Sequence, residues 1–211
     1  MEMGSHSGRS ARMSADLPQV YLVRHGETAW SLSGQATGRT DIALNERGER
    51  EAQSLSTRLK GLSFVRVLTS PLQRARRTAE LAGFGESTNV DDDLTEWDYG
   101  AYEGRRTADI RAERPGWRLI EDGCPDGEVL AAVALRADRV IGRIRSLSGS
   151  MSGNALVFAH RDILRVLAAR WLELNAVEAR RLYLDTASVS ILGYHHALDE
   201  PVIRLWNDAR R

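Results

Sequence analysis

The feature that most constrains the fold of this chain is a short apolar strand that ends on a basic pair. Val20–Val23 consists of β-branched, aromatic and aliphatic residues, which is typical of a buried strand. Arg24 and His25 follow directly, and Gly26 allows the backbone to turn sharply. Since open α/β sheets bind ligands at the carboxyl ends of their strands, the segment predicts a ligand site there. The simpler alternative is a surface turn with two solvated side chains.

Strands and helices alternate along the rest of the chain. Extended segments are predicted at residues 65–69, 154–159, 188–194 and 202–206, with short ones near residue 90 and at 182–184. Helices are predicted at 46–60, 72–81, 107–114, about 128–147, 162–172 and 176–180, with Asn45, Ser70 and Asp126 as caps. This order predicts an α/β fold, a three-layer α/β/α sandwich with a mostly parallel central sheet, to which the last extended runs add an antiparallel edge.

The composition is that of a soluble globular protein. Of 211 residues, 42% are hydrophobic, and 29 basic residues balance 29 acidic ones, so the charge favours neither nucleic acid nor a membrane as partner. We expect a single domain at 18–211, preceded by a disordered tail or expression remnant at 1–17. The absence of a long apolar run predicts a cytoplasmic location. With Cys124 as the only cysteine, no intrachain disulfide or multi-thiolate metal site can form.

Two histidines and two arginines are expected to meet at one edge of the sheet. His160 ends a second buried strand and precedes a helix, while Arg74 lies in the first turn of the helix after another strand. A helix N-terminus offers free N–H groups and a partial positive charge, which suit an anion. With Arg24 and His25, these groups could surround a phosphoryl group and stabilise its equatorial oxygens. For His160 alone, a satisfied histidine at a strand end is the simpler interpretation.

Hydrolysis of a phosphate ester also requires an acid that protonates the leaving oxygen. Glu96 is the candidate, because Trp97 and Tyr99 beside it could shield the carboxyl group and raise its pKa. Taken in isolation, Glu96 is more simply a surface carboxylate, since glutamate is mostly exposed in proteins.

The motifs together resemble the histidine phosphatase superfamily, which includes the cofactor-dependent phosphoglycerate mutases and many phosphatases. The resemblance covers nearly all of residues 19–206. It is carried by Arg24-His25-Gly26-Glu27-Thr28, Thr37-Gly38, Ser70-Pro71-Leu72-Gln73-Arg74-Ala75, Glu96 with Tyr99-Gly100 and Glu103-Gly104, and Ala159-His160.

The resemblance implies a phosphohistidine mechanism. His25 would be the nucleophile, and Glu96 would be the proton donor and then the base for water. The implied phosphate-binding residues are Arg24, Arg74, His160, Thr37, Gly38 and Ser31, the last at a place where many members have asparagine.

The residues after the second histidine depart from this pattern. The family usually has glycine there, whereas this chain has Arg161 followed by Asp162. Asp162 is predicted to cap the helix and to face away from the phosphate pocket. Arg161 is predicted to reach the mouth of the substrate cleft, where its guanidinium could contact a second anionic group on the substrate.

We therefore expect a metal-independent phosphoric monoester hydrolase for small phosphomonoesters, without a cofactor. Trp97-Asp98-Tyr99-Gly100 and Cys124-Pro125 are most similar to the acid phosphatase and sugar-bisphosphatase branch, which makes sugar phosphates or bisphosphates candidate substrates. A homo-oligomer is compatible with the sequence. The His195-His196 pair is expected in a loop, with no partner ligand nearby in the sequence.

Two alternatives remain open at this point. A phosphoglycerate-type mutase would use the same residues, although only about sixty residues separate Glu96 from His160, with no large insertion to close over a retained intermediate. A non-catalytic phosphate-binding module with a degenerate site is the other alternative, and it is suggested by Arg161.

Overall fold

The structure, a computed structural model, describes residues 17–146 and 153–209. The predicted tail therefore lies outside the described residues, apart from Leu17. The strands are β1 (Val20–Arg24), β2 (Phe64–Thr69), β3 (Thr88–Val90), β4 (Asn154–Ala159), β5 (Val189–Tyr194) and β6 (Pro201–Asp208). The α-helices are α1 (Ala29–Ser33), α2 (Glu46–Arg58), α3 (Gln73–Leu81), α4 (Thr107–Glu113), α5 (Leu119–Asp122), α6 (Leu130–Ser146) and α7 (Arg161–Trp171).

The six strands form one sheet in the order β3-β2-β4-β1-β5-β6. The pairs among β1 to β4 are parallel, whereas β5 is antiparallel to both β1 and β6. This confirms the mostly parallel sheet with an antiparallel edge. The predicted strand at 182–184 is wrong, because the segment pairs with no strand and the Leu184 carbonyl accepts a hydrogen bond from the Arg24 side chain instead.

Helices cover both faces of the sheet, as the alternating side chains of β1 require. Val20 and Leu22 belong to the core that includes residues of α6 and α7. Tyr21 and Val23 point to the opposite face and pack in the core formed with α2 and α3. The strand is therefore buried on both sides, and the three-layer sandwich is confirmed.

Three adjacent parallel strands deliver the predicted site residues to one edge of the sheet. β2, β4 and β1 are neighbours in the sheet. The residues that directly follow them are Ser70 after β2, His160 after β4 and His25 after β1. The backbone N–H of His25 donates to Ala159 at 3.0 Å, and the N–H of Ser70 donates to Phe158 at 3.0 Å. Hydrogen bonding between the strands thus fixes how the three residues stand relative to one another.

Several helix boundaries differ from the predicted ones. Asn45 caps α2 as predicted, since its side chain accepts from the N–H of Gly48. The predicted caps Ser70 and Asp126 are wrong. α3 begins only at Gln73, while Asp126 has a φ of 58° and lies four residues before α6. The Ser70 hydroxyl is used elsewhere, by the N–H of Leu72 and the ring of His160.

The hairpin between β5 and β6 corrects a further expectation. Its turn brings Glu200 back onto His195 and His196, and the Nδ1 atom of His195 lies 3.5 Å from a Glu200 carboxylate oxygen. The histidine pair therefore does have a nearby ligand partner, four residues further along the chain. Among the helices of the described residues, none has the length and apolar character needed to cross a membrane.

Candidate active site

His25 is a neutral imidazole that a hydrogen bond holds at the end of β1. Its Nδ1 atom lies 2.7 Å from the carbonyl oxygen of Gly26. Because a carbonyl can only accept, Nδ1 carries the proton and the lone pair remains on Nε2. Burial and the charges of Arg24 and Arg74 lower the pKa of His25 well below its usual value. At neutral pH the ring is therefore unprotonated at Nε2 and can act as a nucleophile.

His160 faces His25 with 5.2 Å between the ring centroids. The Nε–H of Arg74 donates to Nδ1 of His160 at 3.1 Å, so the proton must be on Nε2, which lies 2.7 Å from the Ser70 hydroxyl. Burial, followed by the charge of Arg74, lowers the pKa of His160 well below its usual value. His160 is thus a neutral histidine with both ring nitrogens hydrogen-bonded, and Ser70 is a partner that sequence reasoning took for a helix cap.

Arg74 is fully buried and organises the loop that follows α1. Besides the bond to His160, its guanidinium donates to the carbonyl oxygens of Thr40 at 2.9 Å and Gly38 at 2.8 Å. Neither Arg74 nor His160 is among the residues that line the cavity at the site. The phosphate contacts predicted for these two side chains stay predictions.

Arg24 has a donor available. One terminal nitrogen donates to the Leu184 carbonyl at 2.7 Å, but the buried Nε has no hydrogen-bond partner within the described part of the chain. Burial, with the nearby charge of Arg161, lowers the pKa of Arg24 to about 10, which still leaves it protonated at neutral pH. An unpaired buried N–H costs free energy unless an acceptor meets it, and an anionic oxygen is a suitable one.

Glu96 caps the N-terminus of α7 from outside the helix. Its carboxylate accepts from the N–H groups of Asp162 and Ile163, both at 3.0 Å, and from the N–H of Trp97 at 2.9 Å. The predicted cap Asp162 is therefore wrong, since His160 is the N-cap residue and makes no side-chain cap bond. Part of the helix N-terminus that was expected to bind an anionic ligand binds this carboxylate instead.

The pKa of the Glu96 carboxyl group is raised. Burial is the main cause and the negative charge of Asp162 is the second, and together they outweigh the N–H donors that favour the carboxylate. A raised pKa increases the protonated fraction near neutral pH, as a general acid requires. The same N–H donors stabilise the carboxylate that remains once the proton has left.

A buried ion pair holds the Glu96 segment on both sides. Arg136 on α6 donates to the carbonyl oxygens of Asp93 at 2.7 Å and Thr95 at 2.8 Å. It also forms a bidentate pair with Glu128 at 2.9 and 2.8 Å, and Glu128 accepts from the N–H of Asp98. Sequence reasoning missed this pair, because Glu128 and Arg136 are eight residues apart and carry no motif.

Arg161 lines the cavity together with Arg24 and His25. Its guanidinium donates to both carboxylate oxygens of Asp162, at 3.2 and 3.3 Å, and also to the Tyr99 hydroxyl at 3.2 Å. Asp162 lines the same cavity, so the prediction that it faces away is wrong.

The buried carboxylate of Asp162 is fully supplied with donors. Arg165 donates to it at 2.7 Å, and the Tyr99 hydroxyl donates at 2.7 Å. Burial alone would raise the pKa of Asp162, but Arg161 and Arg165 prevail and lower it. One carboxylate shared by two guanidinium groups leaves a net positive charge beside the cavity, which reduces the repulsion that Asp162 would exert on a phosphate.

The remaining predicted phosphate-binding residues differ in their access to the cavity. Ser31 and Thr37 line it, although the Ser31 hydroxyl already takes part in a capping box with Thr28. Gly38 is not in the lining. Its N–H donates to Glu103 at 2.8 Å, and a Cβ there would lie 2.4 Å from the Trp97 carbonyl oxygen. Gly38 is thus required for close packing of two loops.

The cavity itself is small and opens to solvent. It brings a nucleophilic imidazole, a guanidinium with a free donor and a carboxyl group of raised pKa to one place. Its other lining residues include Gln35 and Thr107, which offer amide and hydroxyl groups. Cys124 is not part of it, and burial raises the pKa of that thiol to about 12. This arrangement can transfer a phosphoryl group to His25 and protonate the leaving oxygen.

Comparison with protein families gives one match over most of the chain. Residues 20–209 match the model of the histidine phosphatase superfamily (branch 1). An acid phosphatase of Mycobacterium tuberculosis is 38% identical over 85% of this chain and 88% of its own length. A sedoheptulose 1,7-bisphosphatase of Saccharomyces cerevisiae is 33% identical over 89% of this chain and 92% of its own length. A probable phosphoglycerate mutase of Cronobacter sakazakii is 35% identical, over 85% and 86% respectively.

Solved structures share the fold over nearly the same span. A structure of an open reading frame from Mycobacterium tuberculosis superposes with a TM-score of 0.84 at 36% identity, covering 92% of this chain and 99% of that one. An α-ribazole phosphatase from Shigella flexneri gives a TM-score of 0.78 at 28% identity, covering 90% and 96%.

Proposed function

Because the chain belongs to branch 1 of the histidine phosphatase superfamily, we propose that it hydrolyses small phosphomonoesters through a phosphohistidine intermediate. The observation that carries the proposal is the state of His25. Its Nδ1–H is fixed on the Gly26 carbonyl at 2.7 Å, so Nε2 is free in a cavity that it shares with Arg24 and Glu96. The relatives named as acid phosphatase and sugar bisphosphatase support the same activity.

In the first step, Nε2 of His25 attacks phosphorus and the bond from phosphorus to the ester oxygen breaks. The proton of Glu96 passes to that oxygen, and the alcohol leaves. The positive charges of Arg24 and Arg161, which both line the cavity, stabilise the oxygens of the phosphoryl group during transfer.

In the second step, water attacks the phosphoryl group on His25. Glu96, now a carboxylate, takes a proton from the water as the bond from phosphorus to nitrogen breaks. Inorganic phosphate leaves, and His25 and Glu96 return to their starting protonation states. The cycle uses the protein's own acid and nucleophile, and we propose that it requires no metal ion.

A mutase would pass the phosphoryl group from His25 to a hydroxyl of the substrate instead of to water. The probable mutases among the relatives make this the second candidate. Hydrolysis is favoured because the chain between Glu96 and His160 consists largely of the short helices α4 and α5 and the packed helix α6. Incubation with 3-phosphoglycerate would separate the two, since a phosphatase releases phosphate and a mutase forms 2-phosphoglycerate.

The test of the proposal is hydrolysis of p-nitrophenyl phosphate by the purified chain. We expect His25→Ala to lower turnover by roughly a thousandfold or more. The matched control is His195→Ala, an exposed histidine on the β5–β6 hairpin, which should leave turnover unchanged. Acid quenching with ³²P-labelled substrate should trap an acid-labile phosphoprotein with the parent and none with His25→Ala. Residual activity within about tenfold of the parent would contradict the assignment of the nucleophile.

Metal independence needs its own measurement. Dialysis against EDTA should leave hydrolysis of p-nitrophenyl phosphate intact. Loss of activity that is restored by Mg²⁺ or Zn²⁺ would overturn this part of the proposal. The cytoplasmic location and a homo-oligomeric state remain predictions.

We also propose that Arg161 contributes to substrate choice. Only part of its guanidinium is engaged by Asp162 and Tyr99, and the side chain is 45% exposed at the cavity. A second anionic group on a sugar bisphosphate could therefore pair with it. Arg161→Gly should lower kcat/KM for sugar bisphosphates by roughly tenfold, because a hydrogen bond to a charged group contributes about 1.5–3 kcal/mol. An equal decrease in kcat/KM for p-nitrophenyl phosphate, which has no second anionic group, would refute a contact between Arg161 and that group.

A further inference from the structure

We propose that His195, His196 and Glu200 form a binding site for a divalent cation of the zinc class, separate from the catalytic cavity. One ligand atom from each of the three residues can be chosen so that all lie within 4.8 Å of one another. Two imidazoles and one carboxylate are a donor set that suits Zn²⁺, Co²⁺ or Ni²⁺ better than the oxygen-seeking Ca²⁺ or Mg²⁺. The site follows from the fold, because the hairpin returns Glu200 to the histidine pair.

Backbone hydrogen bonds hold the three residues in one compact turn. The N–H of His195 donates to the carbonyl of Glu200 at 2.9 Å, and the N–H of Glu200 donates to the carbonyl of Ala197 at 3.0 Å. The N–H of His196 donates to Oε2 of Glu200 at 3.1 Å, which orients the carboxylate towards the rings. The ring centroids of the two histidines are only 3.7 Å apart. Much of the ordering that a metal site requires is therefore present before any ion binds.

The three side chains are accessible to an ion from solvent. The His195 side chain is 63% exposed and that of Glu200 is 48% exposed. Three protein ligands leave at least one position of a tetrahedral ion for water or for a ligand from another molecule. The exposure also predicts that an ion would exchange readily, in contrast to a closed structural site.

The hairpin and the catalytic cavity lie at opposite ends of the sheet. Leu192, near the end of β5, pairs with Val20 at the start of β1, whereas His25 follows the last residue of β1. With a rise of about 3.3 Å per residue, the two sites are separated by roughly 16 Å or more along the strand. Zinc binding at the hairpin and metal-independent catalysis at the cavity are therefore separate proposals, and either can be wrong without the other.

Isothermal titration of the full EDTA-treated chain with ZnCl₂ at about pH 7.5 tests the site. We expect one ion per chain. His195→Ala, His196→Ala and Glu200→Gln should each lower the affinity for zinc by more than about tenfold. Loss of a residue that only supports a ligand typically costs roughly tenfold or more, and a direct ligand should cost more than that. All three positions are exposed, so the variants should fold, and circular dichroism would verify this.

Three controls separate this site from other zinc ligands. Asp199→Asn removes an exposed carboxylate beside Glu200 and should leave zinc binding unchanged, as should His6→Ala in the N-terminal segment. His25→Ala should also bind zinc like the parent. Zinc affinity that survives all three hairpin variants, or that is lost in His25→Ala or His6→Ala, would overturn the proposal.

Discussion

Replacement of Arg136 by methionine should lower both the stability of the protein and its kcat, because Arg136 holds the segment that carries Glu96, the proposed proton donor. Methionine keeps most of the apolar length of the side chain but removes every donor. The change leaves the carboxylate of Glu128 without its bidentate partner and the carbonyl oxygens of Asp93 and Thr95 without the donors at 2.7 and 2.8 Å. Since Thr95 immediately precedes Glu96, the segment that positions the proposed proton donor would loosen.

The magnitude follows from the burial of the pair. The side chains of Arg136 and Glu128 are only 11% and 16% exposed. Removal of one partner of a buried ion pair typically costs about 3–5 kcal/mol, and the exposed Arg39, 3.9 Å from the Glu128 carboxylate, compensates only part of the charge that remains. For a protein of this size, 1 kcal/mol corresponds to about 2–4 °C in Tm, so a decrease of roughly 6–20 °C is expected. Displacement of Glu96 by even about 1 Å could cost on the order of a hundredfold in kcat.

The assay combines urea denaturation with steady-state kinetics on a sugar phosphate. Arg139→Met is the matched control, since Arg139 also pairs with Asp93 from α6 but is 54% exposed, and such pairs contribute at most about 1 kcal/mol. Glu128→Gln combined with Arg136→Met should recover part of the lost stability, because no charge is then left unpaired. Equal destabilisation by Arg136→Met and Arg139→Met, or an unchanged kcat in Arg136→Met, would refute the reasoning.

Three further outcomes are expected. Because the pKa values of His25 and His160 are lowered in the folded state, the unfolded chain takes up protons first as the pH falls below about 6.5, and the free energy of unfolding decreases. The raised pKa of Glu96 has the opposite effect on the free energy of unfolding, but it is one group against two histidines. Urea denaturation between about pH 7.5 and 5.5 should therefore show a net decrease in the free energy of unfolding, and a value that does not change with pH would contradict this. Glu96→Gln should slow transfer of the phosphoryl group to His25 far more from alkyl phosphates than from p-nitrophenyl phosphate, whose leaving group needs no acid, and equal losses in the rate of this first step, measured in single turnovers, would argue against an acid. Gly48→Ala places a Cβ 2.0 Å from a backbone oxygen two residues after His25 and should lower the Tm, whereas Gly142→Ala, with open space around it, should not.

The sequence by itself determined the fold class and the strand end at which the proposed nucleophile lies. Hydrophobic periodicity is a local property, so the strands ending near Arg24 and Ala159 and the capped helix after Asn45 were all predictable from short stretches. The alternation of these elements leaves few topologies, which is why the mostly parallel sheet followed. The convergence of His25 and His160 followed in turn, because adjacent parallel strands end at one edge of the sheet.

The tertiary structure alone decided which groups each side chain meets. The sequence predicted Ser70 and Asp162 as helix caps, because both residue types favour that role locally. In the fold, Ser70 bonds to the ring of His160, and Glu96 caps α7 from a segment more than sixty residues away. The pairing of Glu128 with Arg136 and the return of Glu200 to the hairpin histidines are likewise contacts between side chains. Such contacts depend on distances through space, and the periodicity of a sequence carries no information about them.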